Sequence, residues 1–296
     1  AQHFCDEVFN RTNGRLKITI YPSGELGYKA TDYLRCIRDG TFEACTVSNP
    51  LLSPDFPLVN LNAQLFRWHD MDECLRGLKE CDREIVFPLL EKDFNAVALW
   101  EGSMPEQHIW TANEPLTSLD AFKGLKVRVY NKALATLFSE MGAAPVMLAG
   151  GEVYMALQLH TIDAFCTSSP TAYHTATYEV INYCTLTRFC YSQYITLCNK
   201  DAFDRLPKDV QDTVQQVSME MYDFHEEQAK KYDKIDMDNM VAEGVQVVEM
   251  PKDVRDKLIE VARDKTYEEG INACEKGGYG DAARELMQCY MDIVGG

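Results

Sequence analysis

The sequence predicts an α/β fold in two domains bridged by one long helix. Three observations carry this reading. Strand-like and helix-like periodicities alternate along the chain, 296 residues at 46% hydrophobic content can build two cores, and after Pro207 about three dozen residues pass without Pro or Gly until Gly244. Alternating strands and helices favour parallel sheets over a sandwich, and a chain of this length carries a prior of two domains.

The first region opens with a helix over residues 3–12, closed by Asn13-Gly14, then a strand over 16–21 and a turn at Pro22-Ser23-Gly24. A helix follows over 30–39, with Tyr33, Leu34 and Ile37 on one side and Gly40 as its stop. Residues 41–47 read as a buried strand, 48–62 as a loop, 71–78 and 84–93 as helices, and 95–101 as a closing strand.

The stretch 123–169 is the most informative. In LKVRVY, Leu125, Val127 and Val129 fall on one face and Lys126, Arg128 and Tyr130 on the other, the period of a strand. From Asn131 the period changes, and Leu134, Leu137, Phe138 and Met141 form the apolar stripe of a helix. Asn131 suits its start and Gly142 the left-handed turn after its end. A strand over 144–148, a helix over 152–159 and a strand over 162–166 complete a βαβαβ unit. Ligands of such sheets sit beyond the carboxyl ends of the strands, and Arg128 lies near one of those ends.

The segment after Pro207, as a straight helix, extends about 54 Å at 1.5 Å per residue and crosses both domains. A strand over 245–250 and helices over 252–269 and 279–294 finish the chain.

The formal net charge of −17, without a basic run, excludes nucleic acid as a partner. No stretch reaches the roughly 18 to 20 apolar residues of a membrane span, so direct membrane insertion is not expected. The first residues, AQHFCDEVFN, lack the parts of a signal peptide, and the expectation is that any export signal has already been removed. The 11 cysteines form no CxxC and no zinc-finger spacing. Several occupy apolar strands as small hydrophobes, and whether any pair is left open. No metal or cofactor is expected. A thiol-dependent enzyme is the rival class, with Cys166 near His160 or His174, but no orienting acid accompanies them. A metal site at His69, Asp70, Asp72 and Glu73 reads better as an acidic helix start.

Five blocks carry a family resemblance: TNGRLKITIYPSGELG at 12–27, IRDGTFEA at 37–44, GLKVRVYNKALATLFSEMGAAPV at 124–146, GEVYMALQ at 151–158 with IDAF soon after, and NKDAFDRLPKDVQ at 199–211. The chain resembles the extracytoplasmic solute-binding subunits of tripartite ATP-independent periplasmic (TRAP) transporters, the DctP-like family. The resemblance implies a two-lobed periplasmic-binding-protein-like fold, each lobe a mostly parallel sheet flanked by helices, with one long helix spanning both. The expected division is 1–105 plus 194–233 for lobe I and 106–193 plus 234–296 for lobe II. It further implies a periplasmic location, a small organic acid (carboxylate or sulfonate) held between the lobes, and delivery to membrane permease subunits. A ligand sensor feeding a signalling partner is the alternative. The family begins with a strand and loop that this chain enters past, and truncation is the expectation.

By the same resemblance Arg128 takes the place of the arginine that pairs with the ligand carboxylate. Guanidinium stays charged when buried and matches a carboxylate in plane. The competing reading ties Arg128 to a core acid such as Glu152, itself read as a first-turn acid at a helix N-terminus. Thr167 or Ser168 stands where the family often has an asparagine that completes the clamp, or else serves the turn before Pro170. His108 stands where the family commonly has a second arginine, which weakens the grip on a second acidic group or makes it pH-dependent, since a histidine near an anion can become protonated; a plain surface histidine is the equal alternative. In the first lobe Ser48, Asn49, Asn62 and Gln64 are candidates for a polar ligand, with loop solvation as the plain alternative. Tyr130, Trp100 and Tyr191 are candidate aromatic walls or core packing.

Overall fold

A computed structural model describes residues 1–22 and 24–295. The expected turn at Ser23 therefore lies outside the described residues. Among the described residues nine strands form two sheets: β1 (Ala44–Ser48), β2 (Ala96–Glu106), β3 (His108–Thr111), β4 (Lys126–Val129), β5 (Ala144–Met147), β6 (Ala164–Thr167), β7 (Tyr183–Leu186), β8 (Tyr191–Asn199) and β9 (Gln246–Glu249). The first sheet has the order β1-β8-β2, and the second β5-β4-β6-β3-β7-β9. This is a two-lobed α/β architecture.

The first sheet departs from the parallel expectation, because β8 runs antiparallel to both β1 and β2. β1 and β2 point the same way, as an alternating strand and helix pattern demands. Between them lies a strand that returns from the other lobe. Residues 16–21 are not a strand among the described residues. Leu16 and Ile18 pack against the first core, but Ile20 and Tyr21 stay exposed. Alternation predicts which face is buried and does not supply a neighbouring strand.

In the second sheet β4, β5 and β6 are parallel, β3 is antiparallel to β6 and β7, and β9 is parallel to β7. The βαβαβ unit is present as expected. Asn131 Oδ1 accepts from Leu134 N at 2.9 Å to start the helix Lys132–Glu140, and Gly142 sits at φ +82° beyond its end. One face of this sheet buries Val127, Val129, Ala164 and Cys166, and the other Trp110 and Phe165.

The chain crosses from the first sheet to the second at 105–107 and returns at 187–190. These crossings bond to each other, Gln107 N to Cys190 O at 3.0 Å and Phe189 N to Gln107 O at 3.3 Å. The long helix, Lys208–Ala242, runs 35 residues and ends before Gly244 at φ +100°. Val214, Val217 and Met221 belong to the first core, Met237 and Met240 to the second lobe, so the helix spans both.

The C-terminal end departs from the expected division. Val254, Leu258 and Ala262 pack in the second lobe, but Cys274, Ala283, Leu286 and Tyr290 are buried in the first. A disulfide joins Cys81 to Cys289 across 5.9 Å between Cα atoms, and the Tyr290 hydroxyl donates to Asp82 beside it. The stripe of Ala283, Leu286 and Tyr290 marks the helix as amphipathic without saying which core receives it. The other nine cysteines are free, seven of them buried.

Candidate ligand-binding site

Register brings the C-terminal ends of β4, β5 and β6 and the N-terminal end of β3 to one end of the second sheet, where both crossings leave for the first lobe. Arg128 pairs across with Phe165 on β6, and Thr167, two residues further, pairs with His108 on β3. Alternation places Arg128, Thr167 and His108 on one face of three neighbouring strands.

Arg128 is only 8% exposed. Its Nε donates to Leu148 O at 3.0 Å and its Nη1 to Cys166 O at 3.3 Å. These carbonyls hold the side chain along the strand ends, and Nη2 has no hydrogen-bond partner among the described residues. No carboxylate lies within ion-pair distance of it among the described residues. Glu152 is engaged elsewhere, its Oε2 accepting from Ala149 N at 2.9 Å at the helix start, as a first-turn acid. The Arg128 guanidinium is therefore desolvated and uncompensated, and burial lowers its pKa from the ordinary arginine value. Such a group gains strongly from an anion able to take two parallel hydrogen bonds.

Tyr130 lies under it, with the guanidinium carbon 5.4 Å from the ring centre, and its hydroxyl meets Cys190 Sγ at 3.3 Å. This contact fixes a ring wall beside the charge. The Thr167 hydroxyl has no partner among the described residues, whereas its carbonyl accepts from Trp110 Nε1 at 2.9 Å. Ser168 is fully buried and shares a 3.3 Å contact with the Thr171 hydroxyl, which is turn chemistry at a helix start.

His108 differs from the expectation of a protonatable anion partner. It is 2% exposed, and its Nδ1 accepts from Arg188 N at 3.4 Å, which requires that nitrogen to be unprotonated. Burial first and Arg188 second push its pKa down to about 3. The Glu106 carboxylate, 4.0 Å from Nε2, is too distant to hold a second proton on the ring against these effects.

Sequence reasoning missed Glu106 and Arg188, which sit on the two crossings. Arg188 makes two bonds to Glu249, at 2.9 and 2.8 Å, and its Nε lies 3.3 Å from Glu106, which also accepts from the Tyr191 hydroxyl at 3.0 Å. Opposite charges on these two crossings were a readable signal. Tyr191 itself is 2% exposed and belongs to the first core.

The first-lobe candidates turn inward. Asn49 and Asn62 are fully buried. Asn49 Nδ2 donates to Val59 O at 3.1 Å and to Glu101 Oε1 at 3.4 Å, and Asn62 accepts from Trp68 Nε1 at 3.0 Å. Gln64 is bound by Arg67 and reaches Tyr267 O at 3.4 Å. Trp100 packs edge-on to Tyr194 within the first core. Ser48 ends β1 opposite Tyr194, its hydroxyl unpartnered among the described residues. Asn49 and Asn62 instead join a sealed cluster with Asp82, Glu101 and Tyr290, also missed from sequence because Asp82 lies on a helix with no local sign of burial.

Cys166 is buried, and burial drives its thiol well above the usual range, the opposite of an activated nucleophile. Asp70 Oδ1 accepts from Glu73 N at 2.9 Å, a helix cap. No described helix is long and apolar enough to cross a membrane.

A family model described as "Bacterial extracellular solute-binding protein, family 7" matches residues 1–270. The C4-dicarboxylate-binding periplasmic protein DctP of Rhodobacter capsulatus is 28% identical over 229 residues, covering 76% of this chain and 67% of that one. The 2,3-diketo-L-gulonate-binding periplasmic protein YiaO of Escherichia coli is 25% identical over 250 residues, covering 84% and 75%. Among solved structures, the Bordetella pertussis extracytoplasmic solute receptor DctP7, which binds pyroglutamic acid, superposes with a TM-score of 0.86 at 23% identity, covering 98% of this chain and 93% of that one.

Proposed function

The chain belongs to family 7 of the bacterial extracellular solute-binding proteins, and we propose that it captures a small organic acid on Arg128 between its lobes and delivers it to a TRAP-type membrane permease. The observation that carries this reading is a buried guanidinium with no carboxylate partner, held at the strand ends that face the crossings. Tyr130 backs the charge, and Thr167 offers a free hydroxyl to the same anion. The family consists of receptors, and the proposal assigns no turnover to this member.

Two general arguments support the mechanism. A protein of net charge −17 repels anions at long range, so capture rests on a short-range pair. Closing the lobes removes water from the acid and the guanidinium together, which strengthens the pair and leaves a closed form for the permease to recognise. Relatives named for acids, a C4-dicarboxylate, a diketogulonate and pyroglutamate, support the ligand class.

A thermal-shift screen of small carboxylates and sulfonates tests it. At least one acid is expected to raise the melting temperature in proportion to the logarithm of its concentration. A screen in which only neutral or cationic solutes stabilise the protein contradicts the reading.

A further inference from the structure

Resting on that reading, we propose that the site selects acids bearing one negative charge and rejects dicarboxylates, with Glu106 as the specificity-determining residue. Most cations at the binding end of the second sheet are already paired with carboxylates. Of the cations on these strand ends and the two crossings, Arg128 is the one without a carboxylate partner among the described residues; Arg67, next to Phe66 at the Phe189 crossing, also lacks one, but its Nη2 donates to Gln64 and its guanidinium lies over the Tyr267 ring.

Beside His108 lies a hollow of about 330 Å³ lined in part by Glu106, Arg188, Lys230, Asp233 and Lys234. Each of its cations is already neutralised. Arg188 is bound by Glu249 and Glu106, Lys230 by Asp72 and by Glu226 at 2.7 Å, and Lys234 by Asp238 at 2.8 Å. His108 contributes no charge, because its Nδ1 is occupied as an acceptor. Besides Asp238, which holds Lys234, the lining carries the carboxylates of Glu106 and Asp233, the latter accepting from Ser169.

An acid seated on Arg128 and extending across Thr167 toward β3 therefore meets a neutral imidazole and then the Glu106 carboxylate. A second anionic group placed there is desolvated against a like charge, whereas a hydroxyl or amide finds acceptors. Like-charge juxtaposition is a strong means of rejecting a wrong partner.

Diacids and their own half-amides, which keep length and shape but remove one charge, make the direct probe. Calorimetry on the native protein with such pairs from three to six carbons, together with glucarate against glucuronate, is expected to favour the monoanion by about 30-fold or more in every pair that binds. A diacid that binds as tightly as its half-amide overturns the proposal. Glu106→Gln is expected to narrow the gap about tenfold by strengthening the diacid alone, and an unchanged gap removes Glu106 from the role. Failure of every acid, singly or doubly charged, overturns the acid-binding reading beneath it, a result distinguishable from a diacid preference.

Discussion

Each lobe buries charge without an opposite charge to meet it, and the two solutions differ. At the end of the second sheet a cation, Arg128, keeps a free edge beside the crossings. Inside the first lobe two carboxyls, Asp82 and Glu101, are fully buried. Asp82 takes the Tyr290 hydroxyl and Glu101 the Asn49 amide, yet Asp82 Oδ2 and Glu101 Oε2 are left unpartnered. A sealed pair of carboxylates cannot both ionise, so at least one holds a proton. Burial pushes Asp82 up to about 7 and Glu101 well above its usual value. On the proposed reading, an uncompensated charge is met by a ligand at the strand ends and by a retained proton inside the first lobe.

The largest effect that sharpens this contrast is on binding. Arg128→Ala is expected to weaken any acid found by screening by about 2 to 5 kcal/mol, roughly 30-fold to several thousand-fold. The melting temperature of the ligand-free protein should barely change, since no internal ion pair is lost. Calorimetry and a melting curve on the same variant check both halves.

The first lobe should respond to pH instead. A carboxyl whose folded pKa lies above its unfolded value contributes stability that is fully present below about pH 4 and lost as pH rises through about 7. Asp82→Asn keeps a neutral group there, so its stability should gain on the native protein across that window, on the order of 1 to 3 kcal/mol. His108 and the surface charges enter both proteins alike and cancel in the difference. Urea unfolding at pH 5 and pH 8 reads it, and parallel pH profiles would break the comparison.

The smallest effect separates two neighbours. Thr167→Val should cost about 1 kcal/mol of binding, near fivefold, through one lost hydrogen bond, while Ser168→Ala should stay within about twofold because that hydroxyl serves Thr171. Equal losses at both positions would place the ligand differently.

Much of the second lobe was legible because its signals are local. The change of period at Asn131, the cap it makes and the glycine at 142 each act within a few residues. Arg128 could be placed at a strand end for the same reason. What escaped depends on distant partners. The direction of the first sheet is set by β8, the location of the last helix by Cys81 and Asp82 some 200 residues away, and the neutrality of His108 by its burial and the nearby Arg188 charge. The amides at Asn49 and Asn62 read equally as loop, ligand or core, since polarity alone does not reveal what encloses it.

The most direct test of the central claim is a crystal structure with an acid identified by screening. The expected result is a carboxylate or sulfonate in the closed cleft with two oxygens at about 2.7 to 2.9 Å from the Arg128 guanidinium, Nη2 now engaged and Tyr130 alongside. An acid bound away from this position, with Arg128 still bonded only to the Leu148 and Cys166 carbonyls, would contradict it.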